Sequence, residues 1–321
     1  MKRALLFILI AIFAAGCGGQ APAGAPQIVA TDLPDDVALR IGVLPILDAL
    51  PLYIAEEAGY FAAEGLAVEI VAAASALERD SLMQAGELDT MLTDVIATIL
   101  FNRGDAPVKI GAVAFRAAED APQFRILAAP AAEIESPGDL AGVPVGGSAN
   151  SVIAYVLDRM LADARVVTKK IVLEPVPAIP VRFEMLMSGD LRAAILPDPL
   201  AQAAIEAGAA LLLDDSQYPA YSQSVISFRA DFLDANPEAA AGFLRAWMRA
   251  AADLNANPEA YRALFLERAN VPESVQETYT IPPFPLNQIT TRAEWENAAA
   301  WLLAEGLIEG APPYEAGVWQ E

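Results

Sequence analysis

The chain has no histidine and a single cysteine, Cys17, in 321 residues. Without histidine there is no Ser-His-Asp or Cys-His nucleophile and no imidazole metal site, so catalysis is disfavoured, with carboxylate-only chemistry left open, and no enzyme, metal or cofactor is expected. Positive charge is also scarce. Twenty Lys and Arg stand against 42 Asp and Glu, and the net charge of −22 disfavours any nucleic-acid partner, because no basic cluster opposes it. The apolar run ALLFILIAIF near the N-terminus falls short of the roughly 20 residues that a membrane-spanning helix needs. What the chain does have is apolar residues: at 55% hydrophobic it can build one large or two medium cores.

Lys2 and Arg3 precede that run and AAGC follows it, the layout of a secretory signal. Ala14, Ala15 and Gly16 before Cys17 resemble a bacterial lipobox, with Ala14 where leucine is usual. Residues 1–16 are then a lipoprotein signal peptide, Cys17 the lipidated N-terminus, and 17–38, rich in Gly, Ala and Pro, a flexible tether. An ordinary secretory signal with a chance cysteine is the alternative. Removing Lys2 and Arg3 takes the charge from −22 to −24.

Beyond the tether, strands and helices alternate, the pattern of parallel sheets covered by helices. LRIGVL (39–44) reads as a strand buried on both faces, followed by a helix with Pro51 in its first turn and Gly59 at its stop. Then come strand 66–71, helix 76–85, strand 88–93, helix 94–103 and strand 108–115. A second series repeats this grammar: strands 124–130 and 143–147, helix 151–163, strand 170–176, helix 181–187, strand 192–198, helix 199–206 and strand 209–215. After strand 224–229 the pattern is helical. A weak repeat links the two series. Arg79, Leu82, Gly86, Leu88 and Asp94 align with Arg182, Met185, Gly189, Leu191 and Asp198 if one residue is inserted late in the second copy.

Several stretches carry a family resemblance: PLYIAEEAGYFAAEGLAVEIV, AGELD, NRGDAPVKIGAVA, ESPGDLAGVPVGG and SGDLRAAILPDPLAQAAIEAGA. Their order and spacing over residues 39–310 resemble the bacterial substrate-binding proteins of ABC importers, in the group of nitrate, sulfonate, taurine and thiamine-precursor binders. The resemblance implies an α/β, two-lobed periplasmic-binding-protein-like fold. Each lobe would be a mostly parallel sheet flanked by helices, with a two-strand hinge and a helical C-terminal tail. Lobe one would be 39–118 plus 225–321 and lobe two 119–224. It further implies a small-molecule ligand, ABC permease and ATPase partners, a monomer, and a place in the cell envelope on a lipid anchor. Relatives of this fold that make a pyrimidine from their own histidine are set aside, because this chain has none. A lipoprotein that senses a ligand without transporting it is the other functional alternative.

In open α/β sheets ligands bind beyond the carboxyl ends of the strands. The residues there are Asp48, Thr93, Asp94, Gly147, Ser148, Asn150, Ser151 and Asp198, with Tyr53, Tyr218 and Tyr221 as candidate aromatic walls. Each has a structural alternative: Asp94 and Ser151 as N-caps, Asp198 as the cap of the helix after Pro199, the glycine as a turn, the tyrosines as packing. Three acids near one cleft favour a cation or an N–H-rich neutral ligand, such as a thiamine-pyrimidine precursor or a flavin. A sulfonate, taurine or nitrate is the alternative, with Arg116, Arg125 and Arg182 to meet it.

Overall fold

Alternate residues Leu39, Ile41 and Val43 of the first strand are fully buried, and the burial of each contributes about 1.5–3 kcal/mol. That strand, β1 (Val37–Val43), pairs in parallel with β2 (Leu66–Ala72) and β3 (Thr90–Asp94). Two further strands complete the first sheet, β4 (Val108–Arg116) and, from late in the chain, β10 (Gln223–Arg229). Its order is β2-β1-β3-β10-β4, with β10 antiparallel to both neighbours.

The second sheet is built from β5 (Phe124–Ala128), β6 (Pro144–Gly147), β7 (Val172–Pro175), β8 (Ala193–Pro197) and β9 (Ala210–Asp214). Its order, β7-β6-β8-β5-β9, is that of the first sheet element for element, with β5 as the antiparallel insert. Each sheet is therefore mostly parallel, and each is crossed by one strand from the chain's two passages between sheets. The computed structural model describes residues 37–104, 107–167 and 170–320. The signal peptide and Cys17 lie outside the described residues, whereas β1 begins at Val37, two residues inside the stretch assigned to the tether.

The repeat is real in three dimensions. Helices Ala76–Gln84 and Ile179–Ser188 are followed by left-handed Gly86 (φ 74°) and Gly189 (φ 83°), a conformation only glycine adopts without strain. Gly42 of β1 and Gly146 of β6 are matched in another way. A Cβ on either would lie 2.4 Å from a leucine methyl, that of Leu88 or Leu191 respectively, so both strands need glycine for these side chains to seat.

Past β10 no further strand forms among the described residues. The helix Pro237–Ala256 covers the first sheet with Phe243, Ala246, Trp247, Ala250 and Leu254. The helix Arg292–Ala304 is fixed by a Thr291/Glu294 capping box and packs toward helices Val95–Phe101 and Val152–Asp163. The described residues form one compact unit, and among them no helix is long and apolar enough to cross a membrane.

Candidate functional site

The carboxyl ends of β1, β3, β6 and β8 converge on a cavity of about 70 Å³ between the two sheets, space for about five waters at 10–15 Å³ each. From the first-sheet side it is lined by Leu44, Ile46, Asp48, Ala76, Arg79, Leu92, Thr93, Asp94 and Ser224. Opposite them stand Gln123, Phe124, Ser148, Ser151, Val152, Ile153, Pro177, Ile179 and Pro197. The walls are largely apolar, with few but convergent polar groups, the composition of a small-molecule site.

Asp48 enters from the turn after β1. Its carboxylate accepts from the Ser224 hydroxyl and from Gln123 Nε2 at 3.0 Å, and burial pushes its pKa up to about 6. Asp94 ends β3 and caps the next helix, accepting from the Ala97 amide at 2.8 Å. Burial raises it to about 6 as well, while the Arg79 charge and the Ala97 and Val152 amides oppose the rise. The Val152 amide belongs to the first turn of the second-sheet helix, so Asp94 interacts across the cavity. Cap and cavity wall are one role here, because the end of a parallel strand and the start of its helix are the same place.

Ser148 and Ser151 occupy the turn between β6 and helix Val152–Asp163. Ser151 caps the helix through the Ile153 amide (3.3 Å) and donates to the Ser148 carbonyl (2.8 Å). Ser148 Oγ accepts from Arg182 Nη2 at 2.7 Å. Two cavity atoms have no hydrogen-bond partner, Thr93 Oγ1 and Gln123 Oε1.

Five of the sequence-derived residues thus meet at the cavity: Asp48, Thr93, Asp94, Ser148 and Ser151. The others lie outside its lining. Gly147 approaches Leu173 closely, and Asn150 is exposed in a left-handed turn. Tyr53 is buried in the first-sheet core under the Arg268 guanidinium, 5.2 Å from its ring centre. Tyr218 and Tyr221 stack at 5.8 Å, and Tyr221 meets Tyr155, which meets Trp301, in an aromatic cluster on the flank. Asp198 accepts from Arg125 Nη2 at 2.7 Å and lines a separate groove with Gln202 and Tyr279. Burial raises its pKa to about 6 in spite of Arg125.

Gln123 and Ser224 escaped sequence reasoning. Both sit where the chain passes between sheets, and the antiparallel insertion of β5 and β10, which places those strand starts beside the cavity, leaves no trace in periodicity. Asp215, also missed, is fully buried and holds the Gln123 and Phe124 amides at 2.8 and 3.0 Å; burial raises it to about 7. Among the described residues no group of three or more acids or cysteines is placed to hold a metal.

Solved structures share this architecture. The alkanesulfonate-binding protein SsuA from Xanthomonas axonopodis pv. citri, bound to MOPS, superposes with a TM-score of 0.76 at 16% identity, covering 90% of this chain and 100% of that one. The periplasmic aliphatic sulphonate binding protein SsuA from Escherichia coli gives 0.74 at 20% identity, with 88% and 98% covered. A ligand-binding component of an ABC-type import system from Staphylococcus aureus, with zinc bound, gives 0.74 at 13%, with 88% and 96% covered. No curated protein matches the chain by sequence. The family described as NMT1/THI5 like matches residues 47–261, more than half of the chain. On that match and this two-lobed periplasmic-binding-protein fold, the chain belongs to the NMT1/THI5-like family.

Proposed function

We propose that this chain is the solute-binding component of an ABC importer, capturing a small organic molecule between lobes 39–118 plus 225–321 and 119–224 and passing it to a permease. The observation that carries the reading is a cavity lined from both sheets at their strand ends, with unpartnered Thr93 Oγ1 and Gln123 Oε1 on its walls. A solute held by both walls favours the closed arrangement, which is the signal a permease reads. The absence of histidine supports binding without chemical conversion. Lipidation at Cys17 would keep a monomeric protein at the membrane facing the periplasm or exterior, and loss of palmitate labelling in Cys17→Ala tests it.

For the solute, a single-ring nitrogen heterocycle such as a thiamine-pyrimidine precursor suits Asp48, Gln123 and the ring of Phe124, whereas a flavin needs wider lobe separation than this cavity gives. A sulfonate is the second reading, favoured by the Ser148 hydroxyl backed by Arg182 and by the helix start at Val152. Thermal-shift and calorimetric titration with pyrimidines, flavins, polyamines and sulfonates tests both. At least one class should raise the melting temperature in a saturable way; a panel without any binder removes the solute-capture reading.

A further inference from the structure

Asp48 and Arg182, buried beside the cavity on opposite walls, each lack a partner of opposite sign. Asp48, 5% exposed, accepts only from neutral groups, and no Lys or Arg pairs with it among the described residues. Gln123 commits Nε2 to Asp48 and Ser224 (3.0 and 2.9 Å), which fixes the orientation of its amide and leaves Oε1 as an acceptor with nothing to accept from. Across the cavity Arg182 is fully buried, and its acceptors are all neutral: the Val176, Pro177 and Ile195 carbonyls and Ser148 Oγ. Because that serine oxygen receives the guanidinium proton, the hydroxyl hydrogen is left to point elsewhere. The counterpart arginine of the first sheet differs. Arg79 pairs with Asp80 at 2.6 Å and also opposes the remaining cavity carboxylate, Asp94.

We infer that the cavity is built for a dipolar solute, with a cationic or N–H-rich group at Asp48 and Gln123 Oε1 and an anionic or strongly accepting group at Ser148, polarised by Arg182. A buried charge without a counter-charge costs folding free energy, and a solute that brings both counter-charges recovers that cost on binding. A purely anionic solute leaves Asp48 unanswered, and a purely cationic one leaves Arg182 unanswered. The inference rests on solute capture by this cavity and names the class captured.

Two matched triads test it by calorimetry on the full chain: aminoethanesulfonate with ethanesulfonate and ethylamine, and an aminopyrimidine carboxylate with the pyrimidine carboxylate and the aminopyrimidine. The dipolar member of at least one triad should bind about tenfold or more tightly than either one-ended analogue, a difference of about 1.4 kcal/mol. Asp48→Asn should erase its advantage over the acceptor-only analogue, and Ser148→Ala its advantage over the donor-only one. Without any probe, Asp48→Asn should melt a few degrees higher than the parent at pH 8, since it removes an unanswered buried charge without changing shape. A one-ended analogue binding as tightly as its dipolar counterpart overturns the inference, and so does an Asp48→Asn melting temperature at or below the parent's at pH 8. If no probe binds, the solute-capture reading fails for these classes, and the melting comparison at pH 8 alone decides whether Asp48 is an unanswered charge.

Discussion

Arg182 donates to the Ile195 carbonyl at 2.8 Å across the same thirteen-residue span by which Arg79 donates to Leu92 at 2.9 Å. Each arginine rises from the helix before the third strand of its sheet in spatial order and ties that helix to the middle of the strand. Its aliphatic stem passes over the glycine of the neighbouring strand, Arg79 Cγ near Gly42 and Arg182 Cγ near Gly146. The two sheets are two copies of one device, and the cavity lies where the copies face each other.

Gly42→Ala and Gly146→Ala should each cost about 1–3 kcal/mol, since the new methyl would sit 2.4 Å from Leu88 or Leu191 and force a packed strand to shift. Gly138→Ala, with its nearest neighbour at 3.7 Å and no positive φ, should be nearly neutral. Urea denaturation of the three variants checks the contrast, and truncating the facing leucine should recover part of the loss. Equal midpoints would remove the close-approach argument.

The order of strands and helices was legible because apolar runs, stop glycines and cap residues are local signals. Helix 76–85 forms as Ala76–Gln84, helix 151–163 as Val152–Asp163, and strand 224–229 as Gln223–Arg229. The site was only partly legible, and Asp198 shows why. Aligning it with Asp94 requires an inserted residue, but the sheet registers need none: Thr90 faces Ile41 as Ala193 faces Val145, and Asp94 pairs with Ser224 as Pro197 pairs with Phe124. Pro197 therefore holds the place of Asp94, and in a strand the next residue points to the opposite face. The tyrosines misled for a different reason. Tyr218 and Tyr221 lie in a polar loop by sequence, yet helix Arg292–Ala304, seventy residues later, brings Trp301 to pack with them through Tyr155.

Asp198→Asn should accordingly leave the affinity for a captured solute within about twofold of the parent, while Asp48→Asn weakens it by about tenfold or more, the scale of one hydrogen bond to a charged group. Calorimetry with one confirmed solute compares the two. A loss in Asp198→Asn equal to that in Asp48→Asn would mean that the Asp198 carboxylate reaches the solute after all.

The flank beside the second passage between sheets, where Tyr155 meets Tyr221, is fastened by Tyr155 Oη to Asn297 at 2.8 Å and Trp301 Nε1 to Asp158 at 3.1 Å. If the proposed lobes separate on release, these contacts belong to the closed arrangement alone. Tyr155→Phe should then speed solute dissociation, raising Kd by up to about fivefold for one neutral hydrogen bond of about 1 kcal/mol. Stopped-flow release gives the rate. Small-angle scattering should show the parent contracting as solute is added, and an unchanged radius with binding confirmed would remove hinge closure.

Stability should fall as pH rises from about 5 to 8. Burial raises Asp48, Asp94 and Asp198 to about 6 and Asp215 to about 7, so between the ordinary carboxylate range and those values the folded chain holds protons that the unfolded chain has lost. Each group therefore favours folding when protonated and loses that contribution as pH climbs through its folded value, a change of about 1–3 kcal/mol apiece at most. Glu294 acts in the opposite sense: it lies below its usual range although burial alone would raise it, because the Thr291 amide and the Arg116 guanidinium favour its charge. Asp139, Asp231, Glu259 and Glu315 are held low as well, but groups of this kind change stability only at or below the ordinary carboxylate range, outside the interval from about pH 5 to 8, and the self-repulsion of a chain at −22 adds to the decline. Melting curves from pH 5 to 8 should show a monotonic fall, and Asp215→Asn should flatten its upper part, near pH 7. A melting temperature that rises over this interval would mean that these four carboxylates are held as anions by groups the cavity and the sheet crossings do not supply.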